Sequence, residues 1–294
     1  MANLKEISRK IKSVKNTQKT TRAMKLVSTA KLRRTEQLAK QSQAYATKIN
    51  TVLSDIAYKI NKYRDGGIDN RLFNKIDNPK TIDIIFITAD KGLCGGFNLQ
   101  TIKTVNNLLV KYKKQDTKVR LRAIGRKGVD YFTFKEIELL DSKVGLSSSP
   151  NYELAALSVK DAIDDFSNDV TDGVILIHNG FKNMLTQELR IRELLPVQID
   201  SSNTVDNDSM VEIEPEDDET VLEQLVQKYI EFNLYYALID SLAAEHSARM
   251  QAMDAATTNA KERANELTLQ YNKVRQEAIT TELIEIISGV ESLK

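Results

Sequence analysis

The chain has 294 residues, with 42 Lys and Arg against 41 Asp and Glu, and a formal net charge of +1. Its 41% hydrophobic and 28% charged residues exclude a disordered chain and favour a globular or coiled-coil protein. One cysteine and two histidines are too few for an internal disulfide or for a Cys- or His-rich metal site, so we expect no metal.

Neither end of the chain resembles a membrane or export signal. No window approaches 18 consecutive apolar residues, and the first ten residues, MANLKEISRK, lack the apolar stretch of a secretory signal. The sequence therefore predicts a cytosolic protein that neither spans a membrane nor is exported by that route.

Residues that break helices are confined to the middle of the chain. All four prolines and ten of the eleven glycines lie between positions 66 and 215. Because glycine and proline cost about 1 and 3 kcal/mol inside a helix, the remaining segments can form long uninterrupted helices. We predict an N-terminal coiled-coil helix at 1–65, a central α/β domain at 66–215 and a C-terminal coiled-coil helix at 216–294.

The N-terminal segment repeats apolar or small residues every seven positions, as a coiled coil does. One series is Leu4, Ile11, Gln18, Lys25, Leu32, Ala39, Ala46, Leu53 and Ile60. The interleaved series is Ile7, Val14, Thr21, Ser28, Thr35, Ser42, Ile49 and Ile56. Residues 1 to 40 also carry twelve basic side chains and only two acidic ones. Such a basic helix favours acidic surroundings, and we rank acidic protein loops ahead of nucleic acid because interleaved aromatic residues are missing.

The middle of the chain alternates between strand and helix patterns. IDIIFITAD (82–90), KVRLRAIG (118–125) and DGVILIHNG (172–180) are short β-branched runs, and helical spacing occurs near 97–115 and 151–167. This order predicts a Rossmann-like α/β domain with a parallel sheet. QELRIRELL at 187–195 alternates polar and apolar residues, which predicts an edge or half-exposed strand.

Candidate chemistry in this domain is weak. The glycines of DKGLCGGFN at 90–98 match neither dinucleotide- nor phosphate-binding spacing, so a tight strand-to-helix turn is the better interpretation, with Cys94 as a small structural residue. Asp164 and Asp165 are adjacent in sequence and resemble a solvated face more than a general acid and base. We therefore expect no cofactor.

The C-terminal segment keeps a seven-residue repeat for more than eight heptads. One series is Leu222, Tyr229, Tyr236, Ala243, Met250, Thr257, Ala264, Tyr271 and Ala278. The other is Leu225, Phe232, Ile239, His246, Met253, Ala260, Leu267, Val274 and Thr281. Such a register requires a partner helix. Because both long helices flank one domain, we expect an antiparallel pair that projects from it as a shaft.

The last turns of this helix are apolar around most of the circumference. The apolar residues are Ile279, Leu283, Ile284, Ile286, Ile287, Val290 and Leu293. A helix end of this kind is normally buried. At the tip of a shaft, only another protein could bury Ile286 and Ile287.

Four stretches of the sequence are similar to the gamma subunit of F-type ATP synthases. They are IKSVKNTQKTTRAMKLVSTAKLRR (11–34), GLCGGFN (92–98), SARMQAMDAATTNA (247–260) and YNKVRQEAITTELIEIISG (271–289). The resemblance extends over essentially the full chain. It implies a central-stalk rotor, in which the coiled coil turns inside a ring of alternating alpha and beta subunits and couples proton flow to nucleotide chemistry in those partners.

The resemblance also implies the partners and the location. One copy would assemble with three alpha subunits, three beta subunits, an epsilon subunit and the c-ring, with no nucleic acid and no cofactor of its own. The chain would be non-catalytic and would lie at the cytoplasmic face of a bacterial inner membrane, attached only through the c-ring.

The same resemblance implies that particular residues would contact the partners. Those that would contact beta subunits or join the coupling network are Met24, Lys25, Arg249, Arg275, Gln276, Thr280 and Glu282. Glu214 and Pro215 would contact the c-ring or the epsilon subunit. Two alternatives remain open from the sequence: a nucleotide-binding α/β enzyme and a nucleic-acid-binding coiled coil that uses the basic N-terminal helix.

Overall fold

The computed structural model describes residues 2–63, 71–74, 76–197 and 218–291. In chain order its helices and strands are α1 (Ala2–Tyr63), β1 (Thr81–Ile87), α2 (Phe97–Lys114), β2 (Lys118–Ile124), α3 (Arg126–Phe134), β3 (Asp141–Lys143), α4 (Tyr152–Ser167), β4 (Gly173–Phe181), β5 (Gln187–Leu195) and α5 (Asp218–Glu291). Contacts between residues divide the chain into two compact units. One comprises Met1–Thr29 with Arg249–Lys294, and the other comprises Ala30–Ala248.

The first unit is an antiparallel pair of helices whose contacts follow the predicted heptads. On α1, Ile7, Thr21 and Ser28 are buried, and the other seam positions of this unit are half-buried. On α5, the buried seam positions are Met253, Ala260, Ala264 and Leu267. The predicted coiled-coil register is therefore confirmed here. Small side chains in the middle of the seam let the two helices approach closely.

One predicted seam position is wrong, because Thr281 is exposed. Lys25 of α1 contacts Asp254 of α5, and Thr21 contacts Thr257. In an antiparallel pair each step forward on one helix is a step back on the other, so Ala2, where α1 begins, lies roughly opposite residue 277. Beyond that point the described part of α1 offers no residue to face α5.

The second unit is built on a five-stranded sheet with strand order β3-β2-β1-β4-β5. β1 is parallel to both β2 and β4, β2 is parallel to β3, and β5 is antiparallel to β4. Ile84 and Phe86 of β1 face Val105 of α2 and Phe132 of α3 in one core. Residues of the opposite sheet face pack in a second core against Phe166 of α4 and against α1 and α5. Helices thus cover both faces of the sheet, as the α/β pattern predicts.

Four strands and two helices of this unit agree with the sequence prediction. The edge position predicted for 187–195 is confirmed, although β5 makes the sheet mixed and not purely parallel. The prediction missed α3 and β3. α3 has only nine residues and contains Gly128, and β3 has three residues, so neither is long enough to show a period.

Gly125 is the glycine with the strictest backbone requirement. Its φ is +100°, and a Cβ added there would lie 1.9 Å from the carbonyl oxygen of Thr88. We expect Gly125→Ala to lower the free energy of unfolding by about 3 kcal/mol or more, since backbone strain and steric overlap add. Urea unfolding of the isolated chain measures the change.

Two other glycines are matched controls for this prediction. Gly145 has φ +93° but open space around a Cβ, so Gly145→Ala should cost only the backbone strain, about 1 to 2 kcal/mol. Gly96 has φ −81° and no atom within 4 Å, so Gly96→Ala should change stability by less than about 0.5 kcal/mol. Equal stability of all three variants would contradict the steric explanation.

Candidate functional site

The place where an α/β sheet normally binds a ligand is filled by the chain itself. In a doubly wound sheet that crevice lies at the carboxyl ends of the strands where the strand order reverses, here between β1 and β4. Ala244 and Ala248 of α5 pack there against Ala89, Cys94 and Phe97. Their small side chains bring α5 close to the strand ends, which leaves this position occupied by protein.

The glycine-rich segment forms the predicted turn between β1 and α2. Leu93 and Gly95 have φ values of +63° and +58°, and Phe97 begins α2. Cys94 is 2% exposed, and its sulfur accepts a hydrogen bond from Asn98 Nδ2 at 3.3 Å. The Asn98 side-chain oxygen in turn accepts the Ala89 N–H at 2.8 Å. The geometry fits a packing role for Cys94.

Asp90 follows β1 and ties together the segments after β2 and β3. Its carboxylate accepts hydrogen bonds from the backbone N–H groups of Arg126 and Gly145 and from the Ser147 hydroxyl, at 2.9, 3.0 and 2.9 Å. Burial raises the pKa of Asp90, but these hydrogen bonds outweigh it, and the pKa lies below its ordinary value. The carboxylate is therefore ionised near neutral pH and is bound within the chain.

His178 lies inside β4 and is fully buried. Its Nε2 is 3.0 Å from Asp240 Oδ2 on α5. Burial lowers the pKa of His178; the Asp240 carboxylate opposes that effect, while Arg192 and Arg190 add to it. The imidazole is consequently neutral near pH 7 and takes part in a contact between the sheet and α5.

The interpretation of Asp165 as a solvated residue is wrong. Its carboxylate is half-buried and binds Arg120 and Arg122 at 2.8 and 2.7 Å. Both arginines also bind Asp83, whose side chain is fully buried on β1. Asp164, the neighbour of Asp165, is exposed as expected. The four charges form a network between the sheet and α4, and each acid lies more than 35 residues from its arginines, which left no local sequence signal.

Polar contacts join the two helices of the first unit near Met24 and Lys25. Lys25 Nζ is 2.6 Å from Asp254 Oδ1, and the Lys25 side chain is 37% exposed. The hydroxyls of Thr21 and Thr257 are 2.8 Å apart. Directional polar pairs in a seam of small residues select one alignment of the helices. Met24 is half-buried beside them.

The other residues singled out on α5 differ in exposure. Arg249 is 8% exposed, whereas Arg275, Gln276, Thr280 and Glu282 are all exposed. The Thr280 hydroxyl donates to the Gln276 carbonyl at 2.9 Å, one turn earlier on the same face of the helix. The four exposed side chains are thus available to a partner. Glu214 and Pro215 lie outside the described residues.

The end of α5 exposes a run of large apolar side chains. Residues 279–290 are all exposed, and Ile286 and Ile287 are 63% and 62% accessible. The remaining large apolar residues of this segment are Ile279, Leu283, Ile284 and Val290. Contiguous exposed apolar surface of this kind is typical of interaction sites, which makes the tip a candidate site.

Residues 3–293 match the family described as ATP synthase. The ATP synthase gamma chains of a Nitratiruptor species and of Aliarcobacter butzleri are 63% and 62% identical to this chain, over the whole of both sequences in each comparison. The chain belongs to the ATP synthase gamma chain family. This confirms the resemblance inferred from the four sequence stretches, which span both ends and the middle of the chain.

Solved ATP synthases contain the same fold as this gamma-family chain. The central stalk and c-ring structure of the Tetrahymena thermophila mitochondrial ATP synthase has a chain that matches with a TM-score of 0.62 and 24% identity, over 81% of this chain and 99% of that one. A chain of the Euglena gracilis mitochondrial ATP synthase matches with a TM-score of 0.66 and 18% identity, over 99% and 95%. Long terminal helices flanking a central sheet are therefore the fold of this family.

A membrane-spanning helix and a metal-binding cluster are both absent from the described residues. No helix among them is both long and apolar enough to cross a membrane. Within the same residues, no group of three or more histidine, cysteine, aspartate or glutamate side chains is arranged to hold a metal ion.

Proposed function

We propose that this chain is the central-stalk rotor subunit of an F-type ATP synthase. Its asymmetric coiled coil turns inside a ring of alternating alpha and beta subunits and couples proton translocation to ATP synthesis or hydrolysis on the beta subunits. The observation that carries this proposal is the end of α5. Residues 279–290 continue the helix past the start of α1 and expose six large apolar side chains.

An exposed apolar helix end requires a covering surface from another protein. Apolar burial contributes about 25 cal/mol per Å² of surface removed from water, so a sleeve of partner subunits would stabilise this tip while leaving it free of directional bonds. A contact without directional bonds suits a shaft that must turn within its sleeve. The proposed bearing surface is centred on Ile286 and Ile287.

The chain itself is proposed to be non-catalytic. The crevice at the carboxyl ends of β1 and β4 holds Ala244 and Ala248. The Asp90 carboxylate accepts hydrogen bonds from backbone N–H groups of the same chain. These contacts favour a mechanical subunit over the alternative of a nucleotide-binding enzyme. Nucleotide chemistry would take place on the beta subunits.

Particular side chains are proposed to transmit force between the coil and the ring. Met24 and Lys25 would lie near acidic loops of beta, with Lys25 also holding the two helices together through Asp254. The exposed pair Arg275 and Gln276 would meet another beta loop. The remaining members of the proposed coupling network are Arg249, Thr280 and Glu282.

The proposed assembly contains one copy of this chain, three alpha subunits, three beta subunits, an epsilon subunit and the c-ring. Glu214 and Pro215 would contact the c-ring or epsilon. Residues 66–215 would form the domain above the c-ring, between coiled-coil helices at 1–65 and 216–294. Attachment through the c-ring alone would place the chain peripherally on the cytoplasmic face of the bacterial inner membrane.

Charging the tip tests the rotor proposal. We expect Ile286→Asp with Ile287→Asp to weaken assembly with alpha and beta subunits or to reduce torque, because burying unpaired carboxylates in an apolar sleeve is costly. The isolated chain should unfold as the parent does, since both side chains are exposed there. Co-purification of the subunits and ATP-driven rotation of the assembled complex measure the effect.

A matched variant controls for the effect of substituting these two positions at all. Ile286→Leu with Ile287→Val keeps the surface apolar and should assemble and rotate normally. Equal loss of stability in the isolated chain and in the complex would show that the tip belongs to an internal core. Normal assembly and rotation with both aspartates would contradict an apolar sleeve.

A further inference from the structure

One buried carboxylate of α5 binds both strands of the hairpin formed by β4 and β5. Asp240 Oδ1 accepts the Phe181 N–H at 3.0 Å, and Asp240 Oδ2 accepts a hydrogen bond from Arg190 Nη1 at 2.7 Å. His178 Nε2 lies 3.0 Å from the same Oδ2. The Asp240 side chain is only 3% exposed. Both strands of the hairpin are thus held by a single residue of the helix.

The hairpin is shaped for this close approach. A Cβ on Gly180 would lie 2.5 Å from both Asp240 Oδ2 and Arg190 Nε, so any larger residue would displace the carboxylate or the guanidinium. Ionised hydrogen-bond partners are stronger and more directional than neutral ones. The contact therefore constrains the rotation of α5 about its axis as well as its distance from the sheet.

A second contact lies seven residues further along α5. The Ser247 hydroxyl donates to the Met184 carbonyl at the hairpin turn and accepts from Gln187 Nε2, both at 3.0 Å. Two heptad-spaced residues occupy the same face of a helix. Asp240 and Ser247 thus bind the hairpin at two levels along one line.

Earlier in the same helix apolar packing predominates, although Asn233 and Tyr236 make longer polar contacts with Arg192 and Arg190, at 3.5 and 3.4 Å. Val226, Ile230 and Leu234 pack α5 into the apolar core. Apolar packing resists separation but is non-directional, so it offers less resistance to twisting than bonds with fixed geometry. The shorter polar contacts with the hairpin, those of Asp240 and Ser247, lie at the end of this unit, where α5 continues towards Arg249.

We propose that the β4–β5 hairpin is the torsional anchor of α5, with Asp240 as the positioning residue and Ser247 as its second contact. The inference rests on the proposed rotor function and adds the place where torque passes between the helix and the α/β core. Weakening the anchor should let α5 twist relative to the sheet under load, so that hydrolysis continues while proton pumping slips.

The test uses membrane vesicles that contain the complete complex with Asp240→Ala or Gln187→Ala. ATP hydrolysis and ATP-driven proton pumping are measured together, first without and then against a preset proton gradient. We expect hydrolysis per assembled complex to be retained and the ratio of pumping to hydrolysis to fall as the gradient rises. Asp240→Ala should show the larger loss, because it removes every contact of the carboxylate with the hairpin.

Glu231→Gln is the matched control. Glu231 is another buried acid of α5, 4% exposed, but it binds Tyr152 of α4 and Lys228 of its own helix and makes none of the hairpin contacts of Asp240. A general loss of stability would lower the number of complexes and reduce hydrolysis and pumping in proportion. The ratio under load should therefore stay at the parent value in Glu231→Gln.

Each outcome decides for or against the anchor. A parent-like ratio in Asp240→Ala under load, or an equal fall in Glu231→Gln, would overturn it. If Asp240→Ala fails to assemble, Gln187→Ala decides, since removal of one half-exposed amide leaves the core contacts intact. Failure of the parent chain to restore pumping to membranes that lack their own gamma subunit would count against the rotor function instead.

Discussion

Cross-linking α5 to a beta subunit at Gln276 is expected to abolish steady-state ATP turnover of the assembled complex. The pair of cysteines is Gln276→Cys and a cysteine on the beta loop that faces it. Gln276 is exposed and lies between the seam positions Val274 and Ala278, so the substitution spares the coiled coil. A fixed shaft holds each beta subunit in one conformation, and product release then no longer passes from site to site although every catalytic group is intact.

The native thiol must be removed before this experiment. Cys94→Ser should leave turnover nearly unchanged, because a serine hydroxyl can replace the sulfur as acceptor for Asn98 in the same packed turn. Oxidation of the complex that carries only Gln276→Cys controls for damage by the oxidant. Reduction of the cross-link should restore activity, and turnover that persists at near-complete cross-linking would exclude obligatory rotation of α5 at this level.

Asp83→Ala is expected to destabilise the α/β unit strongly. The Asp83 carboxylate is fully buried and binds Arg120 at 2.6 and 2.9 Å and Arg122 at 3.0 Å. Its removal leaves two arginines facing only Asp165, which is half-buried. Breaking a buried ion network on one side costs about 3 to 5 kcal/mol, because the remaining charge is uncompensated. Urea unfolding of the isolated chain measures this change.

Asp164→Ala is the matched control for Asp83→Ala. Asp164 is exposed next to Asp165, so its removal should change the free energy of unfolding by less than about 0.5 kcal/mol. Similar stabilities of Asp83→Ala and the parent would show that the buried carboxylate contributes little to stability.

The elements found from sequence are those whose signal is local and repeated. Heptad spacing along α1 and α5 records which side chains face a partner helix, so burial of Ile7, Met253 and Leu267 followed from position alone. The β-branched runs of β1 and β4 are buried on both faces, and their apolar composition reports that directly. The exposed tip could be recognised for the same reason, since large apolar residues are concentrated in one short segment.

Other features depend on which distant segments meet. The order β3-β2-β1-β4-β5 brings Asp83 beside Arg120 and Asp165, and no spacing along the chain reveals that pairing. The sequence predicted only a turn at Asp90, but in the structure its carboxylate accepts hydrogen bonds from residues 36 to 58 positions away. Short elements such as β3 form because a neighbouring strand offers hydrogen-bonding groups, not because of their own sequence.

The sequence by itself determined that this protein has two long helices paired in an antiparallel coil, a central α/β core and an apolar C-terminal end. Periodicity and composition are properties of a single segment, and they are sufficient for those features. Only the tertiary structure decided where α1 stops covering α5 and which face of α5 binds the β4–β5 hairpin. Both depend on the alignment of segments remote in the chain, which is set by contacts such as Lys25 with Asp254 and Asp240 with Arg190.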